Sequence, residues 1–163
     1  MELLTRTGTV RLRRAEAGDV AQVVALIADD QLGAVRDGAA DEQELEPYLW
    51  AFAAIDADPA HLLVVAVPSR SGGGEVLATL QLSVLPGLAR RGAWRAQIEA
   101  VRVGVGHRSS GLGAAMVTWA LDEARRRGCS TVQLTTDKRR TDAQRFYERL
   151  GFSATHEGMK LAL

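Results

Sequence analysis

Ile98-Glu99-Ala100-Val101-Arg102-Val103-Gly104-Val105-Gly106-His107-Arg108-Ser109-Ser110-Gly111-Leu112-Gly113 is the stretch that decides the fold. Its first six residues alternate as a strand, the chain breaks at Gly104 and Gly106, and Leu112, Ala115, Met116, Trp119 and Ala120 then follow helical spacing. A strand that feeds a glycine-rich turn opening a helix gathers unpaired backbone N–H groups at the positive end of a helix dipole. An anionic ligand is therefore expected there. A Walker loop would need Lys and then Ser or Thr after Gly111, where Leu112 and Gly113 stand. A dinucleotide fingerprint would need a third glycine at Ser109 and fits weakly.

Further along, Thr131-Val132-Gln133-Leu134-Thr135 reads as a strand, and Ala143, Phe146, Tyr147 and Leu150 form one face of a short helix that Gly151 stops. Two segments then carry a resemblance. Arg108-Ser109-Ser110-Gly111-Leu112-Gly113 is an R-x-x-G-x-G run after a V-x-V strand, and Ala143 to Phe152 spells A-x-x-F-Y-x-x-x-G-F. Together they resemble the signatures of the GCN5-related N-acetyltransferase (GNAT) superfamily. The resemblance covers the C-terminal half in its motifs and the N-terminal half in its order of elements.

The fold so implied is a single α/β domain over residues 1–163 with a central mixed, mostly antiparallel sheet carrying helices on both faces. Its expected order is β-α-α-β-β-β-α-β-α-β. The resemblance also implies acetyl-CoA as acyl donor, its pantetheine arm running beside Val101 and Val103 and its pyrophosphate meeting Ser109, Ser110, Gly111, Leu112 and Gly113, with Arg108 and Phe146 also at the coenzyme. Tyr147 stands where many relatives protonate the departing thiolate. Arg140 stands where many carry an asparagine that contacts the coenzyme, and an arginine there could meet phosphate instead.

Composition narrows the setting. The 163 residues hold 20 basic and 20 acidic side chains, which lacks the electrostatic footprint of a general nucleic-acid binder. The single Cys129 rules out an intrachain disulfide or a cysteine zinc cluster and suits a reducing cytoplasm. No apolar run reaches the ~18 residues of a membrane span, and Met1 to Gly8 lacks a signal segment, so a soluble, unprocessed protein is expected, away from membranes, as monomer or homodimer.

In the N-terminal half, Val10 to Arg13 reads as the first strand, and Asp19 with Gln22 reads as a capping box opening a helix with Val20, Val23, Val24 and Ile27 inward. Residues 33–40 read as a loop, and a second helix is expected from Pro47. Ahead of it, Asp41, Glu42, Glu44 and Glu46 suit a helix N-terminus or attract a cationic amine. Leu62 to Val67 and Glu75 to Leu85 read as strands joined by a glycine turn. Arg90, Arg91 and Arg95 read as a solvated cluster or as a grip on an acidic acceptor. Arg125 to Arg127 suit a helix C-terminus, and Thr155 to Leu163 is expected to add one or two strands.

Glu99 carries the most chemistry. A mid-strand carboxylate in a covered sheet must be paired or kept for use, and Arg102, an odd number of positions away, is expected on the other face. Glu99 can be a structural partner of Arg95, or a general base whose pKa partial desolvation raises. The three histidines show no Ser/His/Asp or metal-ligand spacing, and no metal is needed. The function expected is an acetyl-CoA-dependent N-acetyltransferase acting on a primary amine of a small molecule, amino acid or peptide by direct attack in a ternary complex, with Glu99 and Tyr147 catalytic. The alternatives are a non-catalytic acyl-CoA-binding module of the same fold, and a dinucleotide binder.

Overall fold

The computed structural model describes residues 1–29, 42–69 and 74–162. Strands β1 (Glu2–Thr5) and β2 (Gly8–Arg14) precede helices α1 (Val20–Ala28) and α2 (Glu42–Ala57). Next come β3 (His61–Pro68), β4 (Ala78–Leu85), β5 (Arg95–Val103), α3 (Leu112–Arg126), β6 (Thr131–Leu134) and α4 (Thr141–Arg149). The six strands lie in sequence order, antiparallel from β1 to β5, with β6 parallel to β5. That last pairing needs a crossover, and α3 supplies it.

Both faces of the sheet are covered, as the apolar run in β3 requires. Leu62, Val64 and Ala66 pack with Leu80, Leu82, Ile98 and the α3 residues Leu112, Met116, Val117 and Ala120. Leu63, Val65 and Val67 point the other way, to Val23, Leu26 and Ile27 of α1 and Phe52 and Ile55 of α2. The mixed α/β class expected from the sequence is thus observed.

The two ends differ from the expected order. An extra strand, β1, opens the sheet: Leu3 joins the core while Leu4 stays exposed, and the Met1 ammonium donates to the Leu12 carbonyl at 2.8 Å. Four residues are too few for a periodic signal, so the hairpin partner reveals the strand where its own pattern cannot. At the other end, no strand forms over residues 152–162, and Met159 and Leu161 are exposed.

Three local expectations are also corrected. Asp19 does not cap α1; it is buried and accepts two bonds from Arg13, at 2.6 and 2.8 Å, and one from the Glu16 amide at 2.7 Å. Gln22 instead ties α1 to the segment before β4, bonding the Gly74 carbonyl and the Val76 amide. Helix α2 starts at Glu42, so Pro47 lies inside it and Glu42, Glu44 and Glu46 belong to its first turns. The expected loop at 33–40, Asp41 and the centre of the glycine turn fall outside the described residues. The arginines at the end of α3 are paired, Arg125 with Asp122 and both Arg126 and Arg127 with Glu123, which draws the Glu123 carboxyl below its ordinary pKa.

Candidate active site

Everything at the site depends on one irregularity in β5. Thr79 of β4 faces Arg102 and Gln81 faces Glu99, so Ala100 and Val101 together stand opposite the single residue Leu80. Ala100 adopts a left-handed φ of 50°, the conformation by which a bulge absorbs an extra residue. Alternation therefore restarts after Ala100. Ile98, Val101 and Val103 share the α3 face, packed with its core, whereas Gln97, Glu99 and Arg102 share the face of α1 and α2. Arg102 is thus on the same face as Glu99, which corrects the expectation from simple alternation.

Glu99 is exposed and makes no ion pair among the described residues, neither with Arg95 nor with Arg102. The partial burial expected of it is absent. Arg102 donates to the Val101 carbonyl at 2.8 Å. Pairing of β6 with β5 ends at Ile98 and Leu134, so from Glu99 to Val103 the β6 side of β5 has no neighbouring strand among the described residues. An extended chain can add at such an edge.

The edge runs directly into the glycine loop. Gly111, with φ 86°, closes it as the N-cap of α3, a backbone that side chains adopt only at a cost. Ser110 shapes the loop: its carbonyl accepts from the Arg6 amide at 2.8 Å, its hydroxyl donates to the His107 carbonyl at 2.7 Å, and it accepts from the Leu112 amide at 3.3 Å. The Ser110 amide donates to His107. Ser110 and Leu112 are therefore already bonded within the protein. The amides of Ser109, Gly111, Gly113 and Ala114 donate no hydrogen bond among the described residues, and they offer a candidate anion cradle. Arg108 braces the loop, donating to the Val103 carbonyl at 3.3 Å and to Asp29 at 3.1 Å (carbonyl) and 3.3 Å (carboxylate).

The second signature segment meets the first at Gly113. A Cβ placed there would lie 3.4 Å from Val103 Cγ2 and 3.6 Å from Phe146 Cζ, in ordinary contact, so α4 rests against the first turn of α3 with room for a methyl group and no larger side chain. Phe146, Tyr147 and Phe152 pack edge to face, with centroids 5.0 and 5.7 Å apart. Burial pushes the Tyr147 hydroxyl above its ordinary pKa, opposed by the nearby Arg102 and Arg140 cations. Arg140 is the N-cap residue of α4, its amide bonded to the Asp137 carbonyl at 2.9 Å. Val101, Val103, Phe146 and Tyr147 thus pack on the α3 side, with Val103 and Phe146 meeting at Gly113, whereas Glu99 stands on the opposite face of β5.

Two groups escape a reading of the sequence alone. The β1–β2 turn brings Arg6 to the cradle, its Cγ 3.7 Å from the Cβ position at Gly111, and no linear pattern links residues so far apart. His61 Nδ1 lies 2.8 Å from Ser83 Oγ and its Nε2 3.9 Å from Asp58, a contact created by the β3–β4 register. Among the described residues no cluster of three or more His, Cys, Asp or Glu side chains could hold a metal ion.

Comparison with known proteins bears on this geometry. Residues 23–152 match the model of the acetyltransferase (GNAT) family. An aminoalkylphosphonate N-acetyltransferase of Salmonella typhimurium is 32% identical over 83 residues, 51% of this chain and 53% of that protein, so the chain spans about half the length of this curated relative. The crystal structure of a Bacillus halodurans protein described as a transcriptional regulator superposes with a TM-score of 0.86 at 43% identity, covering 94% of this chain and 99% of the other. Glucosamine-6-phosphate N-acetyltransferase of Arabidopsis thaliana shares the fold, with a TM-score of 0.74 at 22% identity over 94% of this chain and 97% of its own. The match over residues 23–152 places the two signature segments in their family context: the chain belongs to the GNAT acetyltransferase family.

Proposed function

We propose that this single domain transfers the acetyl group of acetyl-CoA to a primary amine of a small molecule, amino acid or peptide, in the cytoplasm. The observation that carries the reading is the edge of β5 from Glu99 to Val103, unpaired on the β6 side and continuous with the amides at the start of α3. The pantetheine arm adds along Val101 and Val103, the pyrophosphate meets the cradle of Ser109, Gly111, Gly113 and Ala114, and Arg6 adds a positive charge beside it.

In the ternary complex the amine nitrogen attacks the thioester carbonyl, and a backbone N–H near Val101 stabilises the developing oxyanion. Glu99, directly or through a water, takes the proton that the ammonium form must lose. The C–S bond then breaks, the thiolate takes a proton from Tyr147, the second proton leaving the nitrogen restores the tyrosine, and the products are the acetamide and free CoA, with one net proton released from Glu99. Tyr147 suits that role because burial keeps its hydroxyl protonated.

Release of free thiol from acetyl-CoA on addition of an amine panel tests the reading. Glu99→Gln should leave coenzyme affinity intact and slow transfer about 10²–10⁴-fold, the usual contribution of a general base. Unchanged turnover on a good acceptor in both Glu99→Gln and Tyr147→Phe would overturn the assignments. The Bacillus halodurans relative described as a transcriptional regulator favours a second reading, in which the fold holds an acyl-CoA without transferring its acyl group. Tight coenzyme binding with no turnover on any amine supports that alternative.

A further inference from the structure

The sheet face that carries Glu99 holds an unusual polar row. His61, Ser83, Gln97 and Gln133 stand in register across β3, β4, β5 and β6, with Gln81 and Glu99 in the adjoining row. Over β3 the same face is apolar through Leu63, Val65 and Val67. The row runs from buried Ser83 through half-buried Gln97 to exposed Gln133, so it is open at the β6 end, beside Glu99.

Its members are locked in pairs. His61 and Ser83 bond at 2.8 Å, and Gln133 Nε2 donates to Gln97 Oε1 at 2.7 Å. Once that amide pair forms, Gln97 keeps its Nε2 donors and Gln133 its Oε1 acceptor, and neither is used again among the described residues. A donor and an acceptor therefore lie side by side, one strand repeat from Glu99, or about 6.8 Å along β5.

We infer that Gln97 and Gln133 read the acceptor, and that the preferred acceptor is an amine with a hydroxyl or carboxamide about 7 Å from its nitrogen. This rests on the acetyl-transfer reading, with the reacting amine at Glu99. Hydroxyl and carboxamide groups both donate and accept, matching the free Nε2 and Oε1. A phosphonate or carboxylate can only accept, leaving Gln133 Oε1 facing like charge, and an alkyl group would leave both amides desolvated without partners.

The test compares aminopentanol and aminopentanamide with hexylamine and an aminoalkylphosphonate of matching length. Turnover is read as thiol release, and binding to the CoA-loaded protein by calorimetry. The two polar neutral amines should exceed the others about tenfold in kcat/KM, the worth of one or two neutral hydrogen bonds, with the gain in KM. Gln97→Leu and, independently, the exposed Gln133→Leu should bring that ratio close to one. Turnover without the preference, a preference for the phosphonate, or a ratio unchanged in both variants overturns the inference. Selective binding without turnover supports the row and overturns acetyl transfer, whereas neither binding nor turnover overturns both.

Discussion

Substitution at Ala100 tests the bulge on which the two-sided use of β5 depends. In a regular strand valine is favoured over alanine and glycine is the poorest of the three, within a range of about 1 kcal/mol. At φ 50° the order should invert. An L-residue in the left-handed region costs about 1–2 kcal/mol, which glycine avoids. Against this stands about 0.5–1 kcal/mol of extra backbone entropy for glycine, so Ala100→Gly should change stability by no more than about 1 kcal/mol. Valine adds β-branching to the same strain and should lose about 1–2 kcal/mol beyond alanine. For a chain of this size that lowers Tm by about 2–8 °C.

Function should follow stability at this position. If Ala100→Val relieves its strain by flattening the bulge, alternation runs through unbroken, Val101 and Val103 turn to the α1 and α2 face, and Arg102 turns to α3. Coenzyme affinity should then fall in Ala100→Val and hold in Ala100→Gly. Thermal unfolding with and without acetyl-CoA reads both effects. A stability order of valine above alanine above glycine, as in an ordinary strand, would refute the bulge.

Other perturbations separate the remaining parts. Arg13 holds the Asp19 carboxyl below its ordinary pKa, so the ionised carboxylate stabilises the fold above about pH 4 and that stabilisation is lost as pH falls through the lower, folded value. Asp19→Asn should cost about 2–3 kcal/mol, discounted because Arg13 is partly exposed, and should flatten the acid limb of a Tm–pH curve. Gly113→Ala has room in ordinary contact and should leave Tm within about 2 °C, whereas Gly113→Leu must displace Phe146, costing about 1–3 kcal/mol and weakening coenzyme binding in a calorimetric titration. Arg6→Ala should weaken acetyl-CoA binding about three- to tenfold with Tm unchanged; equal affinity would remove Arg6 from the site.

The C-terminal half of the site was legible because its determinants are local. The loop, its helix and the F-Y segment each declare themselves within about a dozen residues, through glycine placement and helical spacing. What escaped needed a second strand. The facing of Arg102 depends on a mismatch with β4, the His61–Ser83 contact on hairpin register, and the place of Arg6 on a turn reached from the far edge of the sheet. The Asp19–Gln22 pattern failed for a related reason: both side chains found stronger tertiary partners than the helix end they were spaced to cap.

In the proposed reaction the bulge keeps the two proton-handling groups on different sides of the sheet. Glu99 belongs to the open α1 and α2 face, to which the proposed reaction brings the amine, while Tyr147 is packed with the α3 side, on which the proposed reaction releases the thiolate. Burial raises the Tyr147 pKa and the Arg102 and Arg140 cations oppose that rise. Tyr147 therefore stays protonated past its ordinary value near 10, and its loss as an acid should limit kcat only above about pH 10. Removing a cation in Arg102→Gln takes away stabilisation of the tyrosinate, so that alkaline limb should move higher still. The opposite movement, or a limb that persists in Tyr147→Phe, would assign the proton on the leaving thiol to another donor.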